Sequence, residues 1–314
     1  MVCLLCHQTT GNIIARELRG GEPIPVFYCE HCQLGMLSTI APKQVLKKFY
    51  ATEYRKIASP RLGQATNPKE LFELALPFQS ERIKLLKKYF GKSKRLLEVG
   101  CSAGMFLWHA RKYLGEVVGI DYDQRAARFA AKQCACQVFN TDITSTSLKT
   151  GSFDIICAFQ TLEHVSDPVA FIAQYKKYLK PGGVIAIEVP NLRDALVSTY
   201  DLPNHAKFFY HLSHPWYFTE TSLQKLMRAN GFNGRVFYLQ DYNLFNHVNW
   251  ILNDRPQASN TLGLCSPQLP FRQTVSAEVK TKLTGFIKKI DEDYKRKLKQ
   301  LKLAANIFYL GKLK

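Results

Sequence analysis

The sequence contains no apolar run of the roughly 18 residues that a helix needs to cross a bilayer. It also shows no leader of basic and then apolar residues, because Met1-Val2-Cys3 enters a cysteine motif directly. Acidic residues are few: 25 Asp and Glu stand against 43 Lys and Arg, for a formal net charge of +18. We therefore expect a cytoplasmic protein without a transmembrane segment. The positive charge favours an anionic partner, although lysines spread along a chain also serve solubility alone.

Four of the nine cysteines form two C-x-x-C pairs near the N-terminus. In a reducing compartment such residues are metal ligands or buried apolar groups rather than disulfides. The spacing predicts a tetrahedral zinc site in a small β-ribbon over residues 1–40, with the ligands Cys3, Cys6, Cys29 and Cys32. His7 and His31 adjoin the pairs and are expected to stay outside the ligand set. A closed four-cysteine site leaves no position for a substrate, so the expected role of the zinc is structural.

Residues 96–104, L-L-E-V-G-C-S-A-G, end an apolar strand in a glycine turn ahead of a helix. A second strand follows and ends in Asp121, which is typical of the nucleotide-binding half of an open α/β sheet. The spacing E-x-G-x-x-x-G differs from the G-x-G-x-x-G of dinucleotide folds. Glu98 would repel a pyrophosphate and suits a ligand with a cationic end. Taken alone, the turn also fits a nicotinamide-binding fold.

Apolar strands alternate with amphipathic helices from residue 94 to residue 190. The predicted strands are 95–99, 116–120, 136–140, 153–159 and 183–189, and the predicted helices are 104–114, 123–133 and 167–179. This alternation predicts a parallel sheet whose ligands bind at the carboxyl ends of the strands. Two further strands, 235–239 and 305–310, complete the sheet, the last one inserted antiparallel.

The chain is divided into three predicted parts and two insertions in the third. The parts are the zinc ribbon 1–40, a helical connector or lid 41–90 and a domain 91–314, with insertions at about 191–218 and 243–303. The connector is predicted to form helices over 43–54 and over 69–90, the second one interrupted at Pro77. The second insertion contains a lysine-rich helix over 275–303, whose apolar stripe includes Val279, Leu283, Phe286 and Leu298.

Polar side chains follow consecutive strands and have the chemistry that an adenosyl ligand needs. Asp121 has two oxygens for the ribose hydroxyls, and Tyr122 is placed to stack on an adenine. Asp142 is suited to accept from the adenine amino group while Ile143 packs on the ring. The backbone near Gln160 is placed to receive an ammonium group.

These segments together resemble the successive motifs of class I S-adenosylmethionine (SAM)-dependent methyltransferases. The resemblance rests on L-L-E-V-G-C-S-A-G, G-I-D-Y, T-D-I, F-D-I-I-C-A-F-Q-T-L-E-H-V-S-D-P and L-K-P-G-G-V-I-A-I-E-V-P-N, in this order. It implies a Rossmann-like seven-stranded sheet and a SAM site formed by Glu98, Gly100, Ser102, Gly104, Asp121, Tyr122, Asp142, Ile143 and Gln160.

Residues 204–219 are rich in histidine and aromatic residues and precede a helix that Thr219 is suited to cap. Their Tyr-His…His-x-x-Tyr-Phe-Thr pattern resembles the branch of the superfamily that methylates sugars and other small hydroxylated metabolites. Nucleotide-sugar C-methyltransferases of that branch also carry an N-terminal four-cysteine zinc module. Methyl transfer to a hydroxyl or a carbon acid needs a base, and histidine is suited to that role. The candidate catalytic residues are His164, His214 and Tyr210.

The predicted function is methyl transfer from SAM to a sugar or nucleotide-sugar, at carbon or oxygen. An anionic sugar nucleotide would also account for some of the positive charge. The alternative is an RNA methyltransferase that uses the zinc ribbon and the basic surface. Against RNA, the chain lacks the [DN]-P-P-[FY] signature of amino-methylating enzymes and the Pro-Cys nucleophile of cytosine C5 enzymes. A SAM-fold binding protein without turnover is the third possibility.

Overall fold

Eleven strands form two sheets in the computed structural model, which describes residues 1–52 and 66–314. The strands are β1 Ile13–Ala15, β2 Val26–Cys29, β3 Leu34–Leu37, β4 Arg95–Val99, β5 Glu116–Ile120, β6 Gln137–Phe139, β7 Phe153–Phe159, β8 Leu179–Pro190, β9 Trp216–Tyr217, β10 Phe232–Leu239 and β11 Asn306–Leu313. The large sheet has the order β10-β11-β8-β7-β4-β5-β6. Strand β11 runs antiparallel to both of its neighbours, whereas the pairs of β4 with β5 and β7 are parallel. The predicted α/β fold with a seven-stranded sheet and an antiparallel last strand is confirmed.

Twelve helices cover the sheets and their connections in the described part of the chain. They are α1 Lys43–Thr52, α2 Pro68–Ala75, α3 Ser80–Leu86, α4 Met105–Ala110, α5 Gln124–Cys134, α6 Pro168–Lys176, α7 Ala195–Ser198, α8 Pro203–Phe209, α9 Glu220–Ala229, α10 Leu244–Asn253, α11 Asn260–Leu264 and α12 Ala277–Gln300. A 3-10 turn at Leu76–Gln79 separates α2 from α3 where Pro77 interrupts the pattern. The last two residues of the helix predicted over 43–54 lie outside the described residues.

Strands β7 and β4 are neighbours near the centre of the large sheet. Strand β8 lies beside β7, and β5 lies beside β4. Buried apolar strands and helices pack on both faces, as a sheet with helical crossovers requires. The carboxyl ends of β4, β5 and β7 consequently meet at one edge. A crevice at such an edge is where open α/β sheets bind their ligands.

The long helix α12 packs on the core through only part of its predicted apolar stripe. Leu298 is buried, but Phe286 is 60% exposed, and Val279 and Leu283 are each 46% exposed. The stripe is therefore buried only near the C-terminal end of α12, and the apolar side chains of its first half are exposed. No helix within residues 1–52 and 66–314 combines the length and the hydropathy that crossing a bilayer requires.

The small sheet joins the N-terminal cysteine segment to the insertion after β8. Its order is β1-β2-β3-β9, and β9 pairs with β3 through Gly35 opposite Tyr217 and Met36 opposite Trp216. The Trp216 indole N–H donates to the carbonyl of Val165, six residues after the end of β7, at 2.7 Å. The cysteine segment thus shares a sheet with the insertion, a connection that the division at residue 40 did not include.

Gly35 is predicted to be essential for this pairing. A Cβ on Gly35 would lie 2.9 Å from the Tyr217 Cβ, so Gly35→Ala forces β3 and β9 apart. We expect a loss of about 1–3 kcal/mol in the free energy of unfolding, measured by urea denaturation. The matched control is Gly11→Ala, because a Cβ on Gly11 meets no atom within 4 Å. Equal stabilities of the two variants would contradict the prediction.

Candidate active site

A cavity of about 520 Å³ opens at the carboxyl ends of β4, β5 and β7. Helices α1, α2 and α3 form its outer wall. Of the predicted SAM site, the residues lining the cavity are Glu98, Gly100, Ser102, Asp121, Tyr122, Asp142 and Gln160. Two members of the predicted set lie elsewhere. Ile143 is fully buried in the core beneath the cavity, and Gly104 lies behind the loop as the N-cap of α4.

Glycine is required at both positions of the loop between β4 and α4. Gly100 and Gly104 have φ values of 74° and 84°. A Cβ would lie 2.3 Å from the Thr161 Oγ1 at Gly100 and 2.8 Å from the Cys134 Sγ at Gly104. Gly104 therefore shapes the loop from behind without contacting the cavity.

The Asp121 carboxylate is fixed at the end of β5 by two backbone donors. Its Oδ2 accepts from the Ser102 N–H at 2.7 Å, and its Oδ1 accepts from the Asp123 N–H at 2.8 Å. Ser102 presents its N–H from a left-handed conformation with φ of 50°. A carboxylate held at this strand end is the type of group that binds ribose hydroxyls, which is the role that the sequence predicts for Asp121.

Asp142, after β6, is held by three side chains. Tyr122 donates its hydroxyl to Asp142 at 2.5 Å, and Lys43 and Lys47 of α1 form ion pairs with it at 2.8 and 3.3 Å. Burial raises the pKa of Asp142, but hydrogen bonds from Lys43 and Tyr122 outweigh burial and bring it to about 2. The predicted bond to an adenine amino group therefore competes with helix α1 for this carboxylate.

Glu98 ends β4 as a buried carboxylate, with 4% of its surface exposed. Burial raises its pKa well above the ordinary range, and the charge of Arg82 opposes this rise only in part. Its Oε2 has no hydrogen-bond partner among the described residues. A ligand with a cationic end would supply the missing partner, which is the chemistry that the sequence predicted for this position.

A second buried polar group of the cavity was missed by the sequence analysis. Arg82 of α3 forms a bidentate ion pair with Glu188 of β8, both distances being 2.7 Å. Glu188 also accepts from the Gln160 amide at 3.1 Å. Burial lowers the pKa of Arg82, but Glu188 outweighs it and raises that pKa. The sequence signal was the single acid in the apolar run V-I-A-I-E-V-P.

Three histidine rings pack against one another beside the cavity, at steep angles rather than face to face. The ring centroid of His214 lies 4.5 Å from that of His164 and 3.7 Å from that of His211. Of the three, only His164 lines the cavity. Burial, together with the neighbouring His211 and His164, lowers the pKa of His214 well below its ordinary value. His214 is consequently neutral at physiological pH and carries a lone pair.

His164 is oriented by contacts from two other elements. The Ser213 carbonyl lies 2.7 Å from its Nδ1, and the Tyr50 hydroxyl of α1 lies 2.8 Å from the same nitrogen. A carbonyl only accepts, so Nδ1 carries the proton. Next to it, the buried Glu163 carboxyl has its pKa raised to about 8 by burial.

Tyr210 has no place in this arrangement, and its assignment as a catalytic candidate is corrected here. Its side chain is 4% exposed and packs with Leu18, Val26, Leu37 and Tyr217 in the core between the small sheet and the insertion. An aromatic ring there fills the interface that the pairing of β3 with β9 creates. Tyr210 does not line the cavity.

The four predicted cysteine ligands converge at the end of the small sheet. All four Sγ atoms of Cys3, Cys6, Cys29 and Cys32 lie within 4.8 Å of one another. The Cys32 N–H lies 3.4 Å from the Cys29 Sγ, and Lys225 of α9 places its Nζ 3.2 Å from the Cys32 Sγ. Four thiols in this arrangement fit a tetrahedral metal ion.

Comparison with known proteins identifies the domain that carries the cavity. The family model of a methyltransferase domain matches residues 69–235, which is more than half of the chain. The chain belongs to this methyltransferase family. The match begins in α2 and ends in β10, so it includes every strand end at the cavity. The predicted class I SAM-dependent methyltransferase domain is thereby confirmed.

Curated relatives match about a third of this methyltransferase. An uncharacterized methyltransferase of Schizosaccharomyces pombe is 32% identical over 124 residues, which is 35% of this chain and 45% of the relative. A ubiquinone biosynthesis O-methyltransferase of Cereibacter sphaeroides is 30% identical over 102 residues, which is 31% of this chain and 41% of the relative. The chain thus spans less than half of the length of these relatives.

Solved structures share the fold. A geranyl diphosphate C-methyltransferase of Streptomyces coelicolor, in complex with Mg²⁺, geranyl diphosphate and S-adenosyl-L-homocysteine, superposes with a TM-score of 0.51 at 14% identity. That superposition covers 86% of this chain and 99% of the other. Haemonchus contortus phosphoethanolamine N-methyltransferase 2, in complex with SAM, gives a TM-score of 0.50 at 14% identity. This superposition covers 89% of this chain and 61% of the other. At such identities the likeness concerns the fold alone.

The ion pair of Arg82 with Glu188 is predicted to couple α3 to the sheet. Arg82→Met or Glu188→Gln alone leaves a buried charge unpaired, and we expect each to cost about 3–5 kcal/mol of folding free energy. The double variant removes both charges and is expected to cost less than the sum. Urea unfolding of the single and double variants measures this difference as a double-mutant cycle. Additive losses would contradict the prediction.

Proposed function

We propose that this methyltransferase transfers the methyl group of SAM to a small hydroxylated metabolite, with a sugar or nucleotide-sugar as the acceptor. The observation that carries the proposal is the position of the His164–His214 pair. His164 lines the cavity, and His214 packs against it from the aromatic insertion that resembles the sugar branch. A donor site and a group able to take a proton are therefore next to each other.

SAM is assigned to the cavity by the chemistry of its wall. Asp121 is placed for the ribose hydroxyls, Tyr122 and Asp142 for the adenine, and the backbone at Gln160 for the methionine ammonium. Glu98 favours the cationic part of the ligand. SAM supplies the electrophilic methyl carbon, and the protein's task is to align the acceptor with it and to exclude water.

The acceptor reacts once its proton has been removed, and a histidine of the pair is the proposed base. The lone pair that neutral His214 carries suits it to this role. His164 lines the cavity and donates its Nδ1 proton to the Ser213 carbonyl, and His214 packs against its ring. Both histidines are proposed as candidates for the base.

Two observations favour a small acceptor over RNA. Helix α1 lies over the cavity and contacts its far rim through Lys43 and Lys47. The lysine-rich helix α12 neutralises part of its own charge, for example in the pairs of Lys282 with Glu278 and of Lys295 with Asp291. The relative named for ubiquinone biosynthesis also supports a small-molecule acceptor.

The transfer reaction is tested with labelled SAM, a panel of nucleotide-sugars and total RNA. We expect methylation of a nucleotide-sugar, with a loss of about 10²–10⁴-fold in kcat for His214→Ala. SAM affinity of that variant, measured by calorimetry, is expected to stay unchanged. The matched control is His109→Gln, because His109 lies on α4 with its Nε2 at the Leu76 carbonyl. Methylation of RNA and of no sugar would contradict the proposal.

The proposal also assigns a structural Zn²⁺ to the four cysteines. Because the same sheet contains β9, we expect the metal to hold the insertion in place as well as the ribbon. Cys32→Ser is expected to lower the zinc content from one ion per chain and to destabilise the small sheet, seen by elemental analysis and thermal unfolding. Cys265→Ser is the matched control, since Cys265 is exposed and outside the cluster. Full zinc retention in Cys32→Ser would refute the assignment.

A further inference from the structure

Three side chains, one of which lines the cavity, bring metal-binding atoms together at a site separate from the four cysteines. They are Glu163, His164 and His214, and one ligand atom of each lies within 4.8 Å of the others. Glu163 and His164 belong to the 3-10 turn Leu162–His164 after β7, whereas His214 comes from the insertion. The folding of the insertion against β7 therefore creates the cluster.

Glu163 is the least satisfied member of the cluster. It is 1% exposed, and neither of its carboxylate oxygens has a hydrogen-bond partner among the described residues. Burying a carboxylate without partners is costly, so native proteins neutralise such a group with a proton, a cationic side chain or a metal ion. The groups beside it are two imidazoles, one of which, His214, is neutral.

His164 turns its second ring nitrogen towards this carboxyl group. Its Nδ1 donates to the Ser213 carbonyl, and its Nε2 lies 3.8 Å from the Glu163 Oε1. Two atoms of types that bind metal ions thus face each other at a distance that a bridging ion fits. A backbone carbonyl on the outer nitrogen is also the contact that fixes the ring of a metal-binding histidine.

We propose that Glu163, His164 and His214 bind a divalent transition-metal ion. A donor set of two imidazole nitrogens and one carboxylate oxygen suits Mn²⁺, Fe²⁺, Co²⁺ or Zn²⁺, whereas Mg²⁺ and Ca²⁺ prefer oxygen ligands throughout. Three protein ligands leave coordination positions open for an exogenous molecule. The site is separate from the four cysteines, whose thiolates favour a closed zinc site.

The inference rests on the proposed function and refines its chemistry. Because His164 also lines the cavity, the ion binds at the cavity wall and is placed to coordinate an oxygen of the acceptor. Coordination lowers the pKa of that hydroxyl, whose proton passes to solvent water. The oxygen then attacks the methyl carbon: a C–O bond forms as the C–S bond of SAM breaks, giving S-adenosylhomocysteine and the methyl ether. In this state the histidines act as ligands rather than as the base.

This role also narrows the acceptor class. An acceptor with a second oxygen next to the reacting hydroxyl, such as a vicinal diol or a hydroxyketone, can fill two open positions of the ion. Sugars contain such pairs of oxygens. We therefore expect vicinal oxygens in the acceptor.

The test is a titration of the zinc-loaded full chain with Mn²⁺, in which electron paramagnetic resonance measures the free Mn²⁺. We expect one Mn²⁺ per chain, with affinity reduced at least tenfold in Glu163→Gln and in His214→Ala. His109→Gln is the control and is expected to bind like the wild type. Elemental analysis must give one Zn²⁺ per chain in every variant, which separates this site from the cysteines. Thermal unfolding and SAM calorimetry verify that each variant is folded.

Absence of Mn²⁺ and Co²⁺ binding to the wild type would overturn the inference. Unchanged affinity in a folded Glu163→Gln or His214→Ala would overturn it as well. Glu163→Gln also distinguishes the two roles of the histidines, as metal ligands or as a base. Metal binding needs the Glu163 carboxylate, whereas proton removal by a histidine base does not. Binding is measured without an acceptor, so a negative result leaves methyl transfer untouched. Conversely, a chain that binds Mn²⁺ but methylates no sugar refutes the proposed function alone.

Discussion

The pairing of β3 with β9 is the constraint on which the candidate site depends. The two residues of β9 connect the sheet of the cysteine segment to the insertion that contains His214. Trp216 of the same strand bonds to the backbone after β7, beside His164. The two histidines meet because one short strand is held from both sides. A module that resembles an appendage in the sequence is therefore part of the support of the active site.

A buried ion pair performs a comparable task on the opposite wall of the cavity. Arg82 reaches from α3 to Glu188 in the sheet, and Gln160 adds a third contact to the same carboxylate. Such a pair contributes little net stability against an apolar alternative, but it strongly disfavours any arrangement in which one partner is missing. It therefore fixes the position of the helices in front of the sheet.

The sheet and the loop residues were predictable from the sequence because their causes are local. The central strands are continuous apolar runs that are buried along most of their length, and Gly100 and Gly104 have the positive φ that favours glycine, so both features can be recognised in the sequence. What escaped prediction depends on contacts between distant segments. Tyr210 lies near two histidines in the sequence, yet the small sheet draws its ring into a separate core. Glu188 and Arg82 are 106 residues apart, so the local sequence around either residue does not predict their ion pair. Ile143 follows a strand end as expected, but its side chain turns inward.

Helix α1 lines the outer side of the cavity through Lys43, Lys47 and Tyr50. Its bonds to Asp142 are ion pairs between partly exposed side chains, with Lys43 55% and Lys47 39% accessible. Such pairs weaken as ionic strength rises. The attachment of α1 to the opposite rim of the cavity is consequently sensitive to salt. A salt dependence of ligand binding is therefore expected from this attachment alone, without a polyanionic substrate.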